Sequence, residues 1–275
     1  AFEVASKTIV PPSQLATALG RVDLAGAQRA VVIVGAVAEL GTHAAAIRAA
    51  VRGFASANNA QVCRIPQGAN ALGLAQHGVL PSARDALGML ADARSAYILY
   101  GIEPGLDFAD QAQAFKALGN AQVVAFSQYA CESTRKVADV ILPIGAIPEI
   151  EGSLTNVDGF VQHTTAGGKL PGEARAGWRV LRALGGDLGV AGFDFTDYAG
   201  MRAGLSERNV QVAKGSVPAQ AQVHGAGLEV VASQAIYRSD ATVRRAAALQ
   251  AHPLTIGARV VLHPVDAGEA GVHPD

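Results

Sequence analysis

The sequence predicts an α/β fold: a doubly wound, mostly parallel sheet of Rossmann-like type, with the start of a second, smaller domain after it. Three observations carry this. Short apolar runs recur without polar alternation, as strands buried on both faces do, and a helical stretch separates each run from the next. Strands alternating with helices imply parallel pairing through crossovers. Past residue 184 the alternation stops, which marks a change of organisation.

Residues 30–34 are apolar throughout and end at Gly35, which predicts the first strand. A helix over 42–57 follows, with Thr42 as its N-cap and Ile47, Val51 and Phe54 on one face. A second strand at 61–65 closes on Pro66 and completes a βαβ unit. The pattern repeats as a helix at 82–94, a strand at 96–100, a helix at 107–118 and a strand at 122–126. A short helix at 132–136 leads to a fifth strand at 138–143. Functional loops of such sheets lie beyond the carboxyl ends of the strands, here 35–41, 66–78, 101–106, 127–134 and 144–165.

A helix at 178–184, stopped by Gly185 and Gly186, ends the regular part. The main domain is therefore placed at 30–207, after a lead-in over 1–29 from an upstream region. Gly215, Pro218, Gly225 and Gly227 make 208–227 a linker. Residues 228–275 then read as a truncated C-terminal domain with a strand at 228–231, a helix at 240–251 and a strand at 258–262. Ala1 in place of methionine and the turn-rich stretch 271–275 predict a fragment of a longer chain. No repeat with a solenoid period is visible.

Half of the 275 residues are hydrophobic, but alanine supplies much of that share. The longest uncharged run, residues 65–83, contains Pro66, Gln67, Asn70, Gln76, His77 and Pro81, a composition that argues against direct membrane insertion. With 22 basic and 23 acidic residues, nothing draws the chain to nucleic acid or an anionic bilayer. Cys63 and Cys131 are the only cysteines, too few for a disulfide scaffold or an ordinary four-thiolate iron-sulfur site. With no signal peptide or lipidation box at its start, the chain is expected in the cytoplasm.

Individual motifs are mostly negative. The turn from Gly35 to Gly41 lacks G-x-G-x-x-G spacing, and Gly168-Lys169 fails as a P-loop because His163 and Leu170 occupy required positions. No histidine pair has the helical spacing of metal ligands. Cys63 reads as packing in a buried strand; Cys131 sits near a helix start with no neighbouring histidine to act as its base, so packing is favoured there too. Glu149, Glu151, Asp158 and Glu173 lie among glycines and are expected to fix a loop through backbone hydrogen bonds rather than to form an acid/base pair.

One region is specific. Residues 138–143, then Glu149, then 151–162 resemble the molybdopterin oxidoreductase signature A-D-V-V-L-P, a short gap, and E-x-x-G-T-x-x-N-x-E-G-R-x-Q. The continuation 171–182 is similar to P-G-E-A-R-x-x-W-x-I-L-R of the G-subunit family of NADH-quinone oxidoreductase, respiratory complex I, and residues 68–73 resemble its small-residue loop. The likeness extends over roughly 30–262 and is strongest over 138–184.

This resemblance implies a C-terminal scaffold region of a subunit that takes part in electron transfer from NADH to quinone. Activity would belong to the assembly, with no catalytic residue and no metal ligand in this part. The implied partners are other peripheral-arm subunits of complex I, on the cytoplasmic side of the inner membrane. Iron-sulfur clusters would belong to an N-terminal region. The nearest heirs of a vestigial pterin pocket would be Thr134 and Asp139. Three departures stand against bound molybdopterin: Glu132-Ser133-Thr134 replaces T-E-T, Phe160 replaces arginine and Asp158 replaces glutamate. Each removes or alters groups that a pterin diphosphate would need. The resemblance also allows a part of an active molybdopterin-dependent oxidoreductase related to formate dehydrogenase or nitrate reductase. An independent nucleotide-dependent enzyme has only the versatility of open sheets behind it.

Overall fold

The computed structural model describes residues 3–65, 68–81, 84–205, 228–231, 233, 235–255 and 260–272. It is α/β with parallel sheets, as expected. The chain groups into two compact units, one of Ala1–Gly68, Val212–Ile236 and Ala251–Asp275, the other of Ala69–Gln211 and Tyr237–Gln250. The linker expected at 208–227 lies outside the described residues.

In the first unit, α1 (Leu15–Leu19) precedes β1 (Val31–Val34), α2 (Ala36–Glu39), α3 (Ala44–Ala57) and β2 (Gln61–Arg64). The two strands are parallel, with Val31 opposite Gln61 and Val34 opposite Arg64. Alanine gives α3 its propensity, and Ile47 and Val51, one turn apart, bury against Val34 with Leu15, Leu19, Val32 and Ala38 around them. The N-cap expected at Thr42 is instead His43, which makes no side-chain cap bond. Gly41, at φ 88°, turns the chain so that its own carbonyl accepts the N–H of Ala44 at 3.3 Å, which leaves a hydroxyl cap less to do. Asn59, at φ 49°, ends α3, and the N–H of Ala60 closes back on Ala55.

The strand expected at 228–231 does not form. Glu229 instead accepts the N–H and hydroxyl of Ser13 at 2.9 and 2.7 Å, and His43 Nε2 lies 3.5 Å from the same carboxylate. The strand expected at 258–262 is absent over its described residues; Ala258 and Arg259 lie outside them. Val230, Val260 and Val261 are largely exposed and have no ladder to join among the described residues. Apolar side chains alone do not make a strand without a neighbouring edge. Past them comes α12 (Pro264–Glu269), capped by His263 Nδ1 accepting from Val265.

The second unit holds α4 (Ala71–Gln76), α5 (Ala86–Ala91), β3 (Ala96–Tyr100), α6 (Pro104–Asp107), α7 (Gln111–Leu118), β4 (Gln122–Ser127), α8 (Glu132–Val137) and β5 (Val140–Pro143). Its parallel sheet has the order β3-β4-β5. The central strand carries the core: Val123, Ala125 and Leu118, just before it, are almost fully buried with Leu99. Next come the antiparallel hairpin of β6 (Gly152–Thr155) and β7 (Val161–Thr164), then α9 (Gly177–Asp187), α10 (Tyr198–Ala203) and α11 (Ala247–Gln250).

Local hydrogen bonding accounts for the shifted boundaries. Asp85 accepts from Gly88 and starts α5 later than the 82–94 reading. Asp110 accepts from Gln113 and starts α7 at Gln111, later than the 107–118 reading, while Pro104–Asp107 form the separate α6. Asp240 accepts from Thr242 and Val243, so the 240–251 helix becomes a 3₁₀ turn at Val243–Arg245 followed by α11. The stop expected at Gly185-Gly186 does not occur, and α9 runs on to Asp187. Gly185 serves packing there: a Cβ on it would meet Phe193 Cγ at 2.4 Å. The stretch 144–165, read as a loop, contains the hairpin. Its turn is built by Asn156 Oδ1, which accepts from Asp158 and Phe160, with Gly159 at φ 87°. No described helix is long and apolar enough to cross a membrane.

Candidate functional site

Two places in the second unit gather chemistry. The first lies beyond the carboxyl ends of β3 and β4. Glu103, 2% exposed, receives Arg244 at 2.7 Å and Arg245 at short range, while Arg244 also reaches Asp107 at 2.9 Å. The Arg245 guanidinium sits over the Tyr129 ring, 4.1 Å from its centroid. Burial pushes the Glu103 carboxyl up, but the hydrogen bonds from Arg245 and Arg244 outweigh it and hold the group below its ordinary value. Two cations face two carboxylates, so the cluster is close to neutral as a whole.

Cys131 adjoins this cluster as the residue before α8. Its Sγ is 3.2 Å from both Ser133 Oγ and Thr134 Oγ1. Burial raises the thiol and the Glu103 charge acts in the same direction, yet the hydroxyl and backbone hydrogen bonds prevail and lower it.

Thr134 and Asp139, the residues marked by the resemblance, face different partners. Thr134 is fully buried on α8 with its hydroxyl against Cys131. Asp139 accepts the backbone N–H of Val123 at 2.7 Å, near the amino end of β4. Glu149 accepts from the N–H of Ala146 and Glu151 from the indole of Trp178, so both hold the chain around the hairpin.

The second place is a cleft of about 240 Å³ between α4, the hairpin and α10. Asn70 Oδ1 accepts the N–H of Thr155 at 2.7 Å and ties the loop before α4 to β6. Gly73 makes the approach possible: a Cβ there would meet Asn70 Oδ1 at 2.3 Å and Thr155 Oγ1 at 2.8 Å. His77, Ser153, His163 and Arg202 also line the cleft, and among the described residues no carboxylate does. Arg202 Nη1 is 3.5 Å from His163 Nδ1, and His77 Nδ1 is buried without a hydrogen-bond partner among the described residues.

Sequence reasoning flagged both loops of this cleft, 66–78 and 144–165, but not their meeting. It missed Glu103, Arg202 and the Arg244-Arg245 pair as site residues. The two arginines lie 141 and 142 positions from Glu103, and no local pattern announces such a contact. Among the described residues no group of three or more His, Cys, Asp and Glu could hold a metal ion.

Residues 15–187 match the molybdopterin oxidoreductase family, and the chain belongs to it. The segment matched by related proteins is shorter. The mitochondrial 78 kDa subunit of NADH-ubiquinone oxidoreductase from Neurospora crassa is 42% identical over 67 residues, 24% of this chain and 9% of that protein. The assimilatory nitrate reductase catalytic subunit of Bacillus subtilis is 45% identical over 56 residues, 20% of this chain and 8% of that protein. The 75 kDa subunit of NADH-ubiquinone oxidoreductase from Reclinomonas americana is 46% identical over 48 residues, 18% and 7% of the two chains. The matched segments thus span less than a tenth of these relatives' length.

Proposed function

We propose that this chain is a noncatalytic scaffold region of the G-type subunit of NADH-quinone oxidoreductase, with electron transfer from NADH to quinone carried out by the assembled complex. The observation that carries this reading is the engagement of groups at the strand ends. An anionic pterin diphosphate needs free donors. Arg244 and Arg245 are already matched by Glu103 and Asp107, the Thr134 hydroxyl is held by Cys131, and the Asp139 carboxylate is held by Val123. Phe160, on the hairpin turn where the family pattern carries arginine, is 69% exposed and offers no donor. These residues do not fit the cofactor.

The partners in this reading are the other peripheral-arm subunits, and the iron-sulfur clusters lie in other parts of the subunit. Similarity to the 75 and 78 kDa complex I subunits supports it. Similarity to the Bacillus subtilis nitrate reductase supports a second reading, an active molybdopterin-dependent oxidoreductase. Denaturing the full-length protein and recording pterin fluorescence separates the two. The scaffold reading expects no fluorescent pterin and co-purification with peripheral-arm subunits; released pterin selects the second.

A further inference from the structure

We propose that the cleft between α4, the β6–β7 hairpin and α10 binds a compact oxyanion of phosphate size. The assignment stands apart from the scaffold reading and uses none of the strand-end residues. Its first support is charge. Among the described residues, Arg202 pairs with no carboxylate and no acidic side chain lines the cleft; its guanidinium lies 3.5 Å from His163. A guanidinium presents a planar set of donors suited to phosphate-like oxygens, and no described lining residue carries a compensating negative charge.

Unsatisfied polarity is the second support. Buried polar side-chain atoms are nearly always hydrogen-bonded, yet the Nδ1 of His77, a lining residue, is shielded from water with no partner among the described residues. Ser153 and Thr155 add hydroxyls, and Asn70 is fixed through its carbonyl oxygen, which leaves its amide nitrogen as a donor. A ligand carrying several oxygens in a small volume would serve these groups together.

Size sets an upper limit. At about 240 Å³ the cleft lies below the roughly 300–1,000 Å³ typical of pockets for drug-sized ligands. Free phosphate or an anion of similar bulk fits the volume better than the same group carried on a nucleotide.

Isothermal titration of the intact chain with inorganic phosphate tests this, run in parallel with guanosine monophosphate. Arg202 is exposed, so Arg202→Gln leaves the core untouched, and Arg52→Gln on α3 serves as a charge-matched control. Saturable one-to-one phosphate binding is expected, weakened at least about ten-fold by R202Q, unchanged by R52Q, with the nucleotide no tighter than phosphate. Three results each overturn the assignment: no saturation with phosphate, equal weakening by both variants in chains whose circular dichroism is unchanged, or much tighter binding of the nucleotide.

Discussion

The side-chain oxygen of Asn70 holds the backbone N–H of Thr155 at 2.7 Å across 85 positions of sequence, and so joins two motifs that the primary structure keeps far apart. Replacing Asn70 with alanine leaves a half-buried amide without its acceptor and is expected to cost about 1–2 kcal/mol. Urea denaturation measures the loss, and hydrogen exchange at Thr155 should accelerate relative to amides on β4. Unchanged exchange at Thr155 argues that the bond does not hold the hairpin.

Gly73→Ala places a methyl group into that same contact, 2.3 Å from Asn70 Oδ1. Overpacking of this kind costs about 1–3 kcal/mol. In the Asn70→Ala background part of the obstruction is gone, so the double variant should be more stable than the sum of the single effects predicts. Strict additivity in a double-mutant cycle would show that the two residues act separately.

Much of the sheet is legible in the sequence, and the reason is visible in particular residues. Val123, Ala125 and Leu99 are buried in one core cluster, while Ile98 and Tyr100 of β3 stay exposed, so the unbroken apolar run marks the strand without both faces being covered. Strand β3 occupies the predicted residues, and the other four differ by at most two positions at an end. Residues 228–231 and 260–262 carry the same apolar signal but find no edge among the described residues, because pairing is a tertiary event. The hairpin at 152–164 escaped notice for the opposite reason: its strand residues Gly152 and Ser153 and its exposed β7 give no clear alternation, and only the Asn156 turn marks it. Of the site, the loops were readable and the long-range partners Arg202, Arg244 and Arg245 were not.

Glu103 makes an acid-sensitive link. Its folded-state pKa lies below the ordinary 4.5, so its contribution is fully present above that value and is lost as pH falls through the folded pKa. Glu39, lowered chiefly by its hydrogen bond from Arg64, adds a contribution of the same sign. Urea midpoints recorded from neutral pH downward should fall below about pH 4.5, and Glu103→Gln should flatten that acid limb. At neutral pH the same substitution leaves Arg244, 12% exposed, without its main counter-charge, for an expected loss of about 3 kcal/mol. An undiminished acid slope in E103Q would assign the sensitivity to other carboxylates.

For Cys131, the hydroxyls of Ser133 and Thr134 stabilise the thiolate against burial and the Glu103 charge. Alkylation by iodoacetamide, followed in a Cys63→Ser background, should have its pH midpoint below that of an ordinary thiol. Ser133→Ala should move the midpoint upward and slow the reaction at neutral pH. A midpoint indifferent to Ser133 removes the hydroxyl from the account.

The scaffold reading itself turns on what the full-length protein carries. Elemental analysis of the intact subunit, purified within its assembly, measures iron and molybdenum in one sample. Iron without stoichiometric molybdenum or tungsten is the predicted result, and stoichiometric molybdenum bound to the subunit contradicts it.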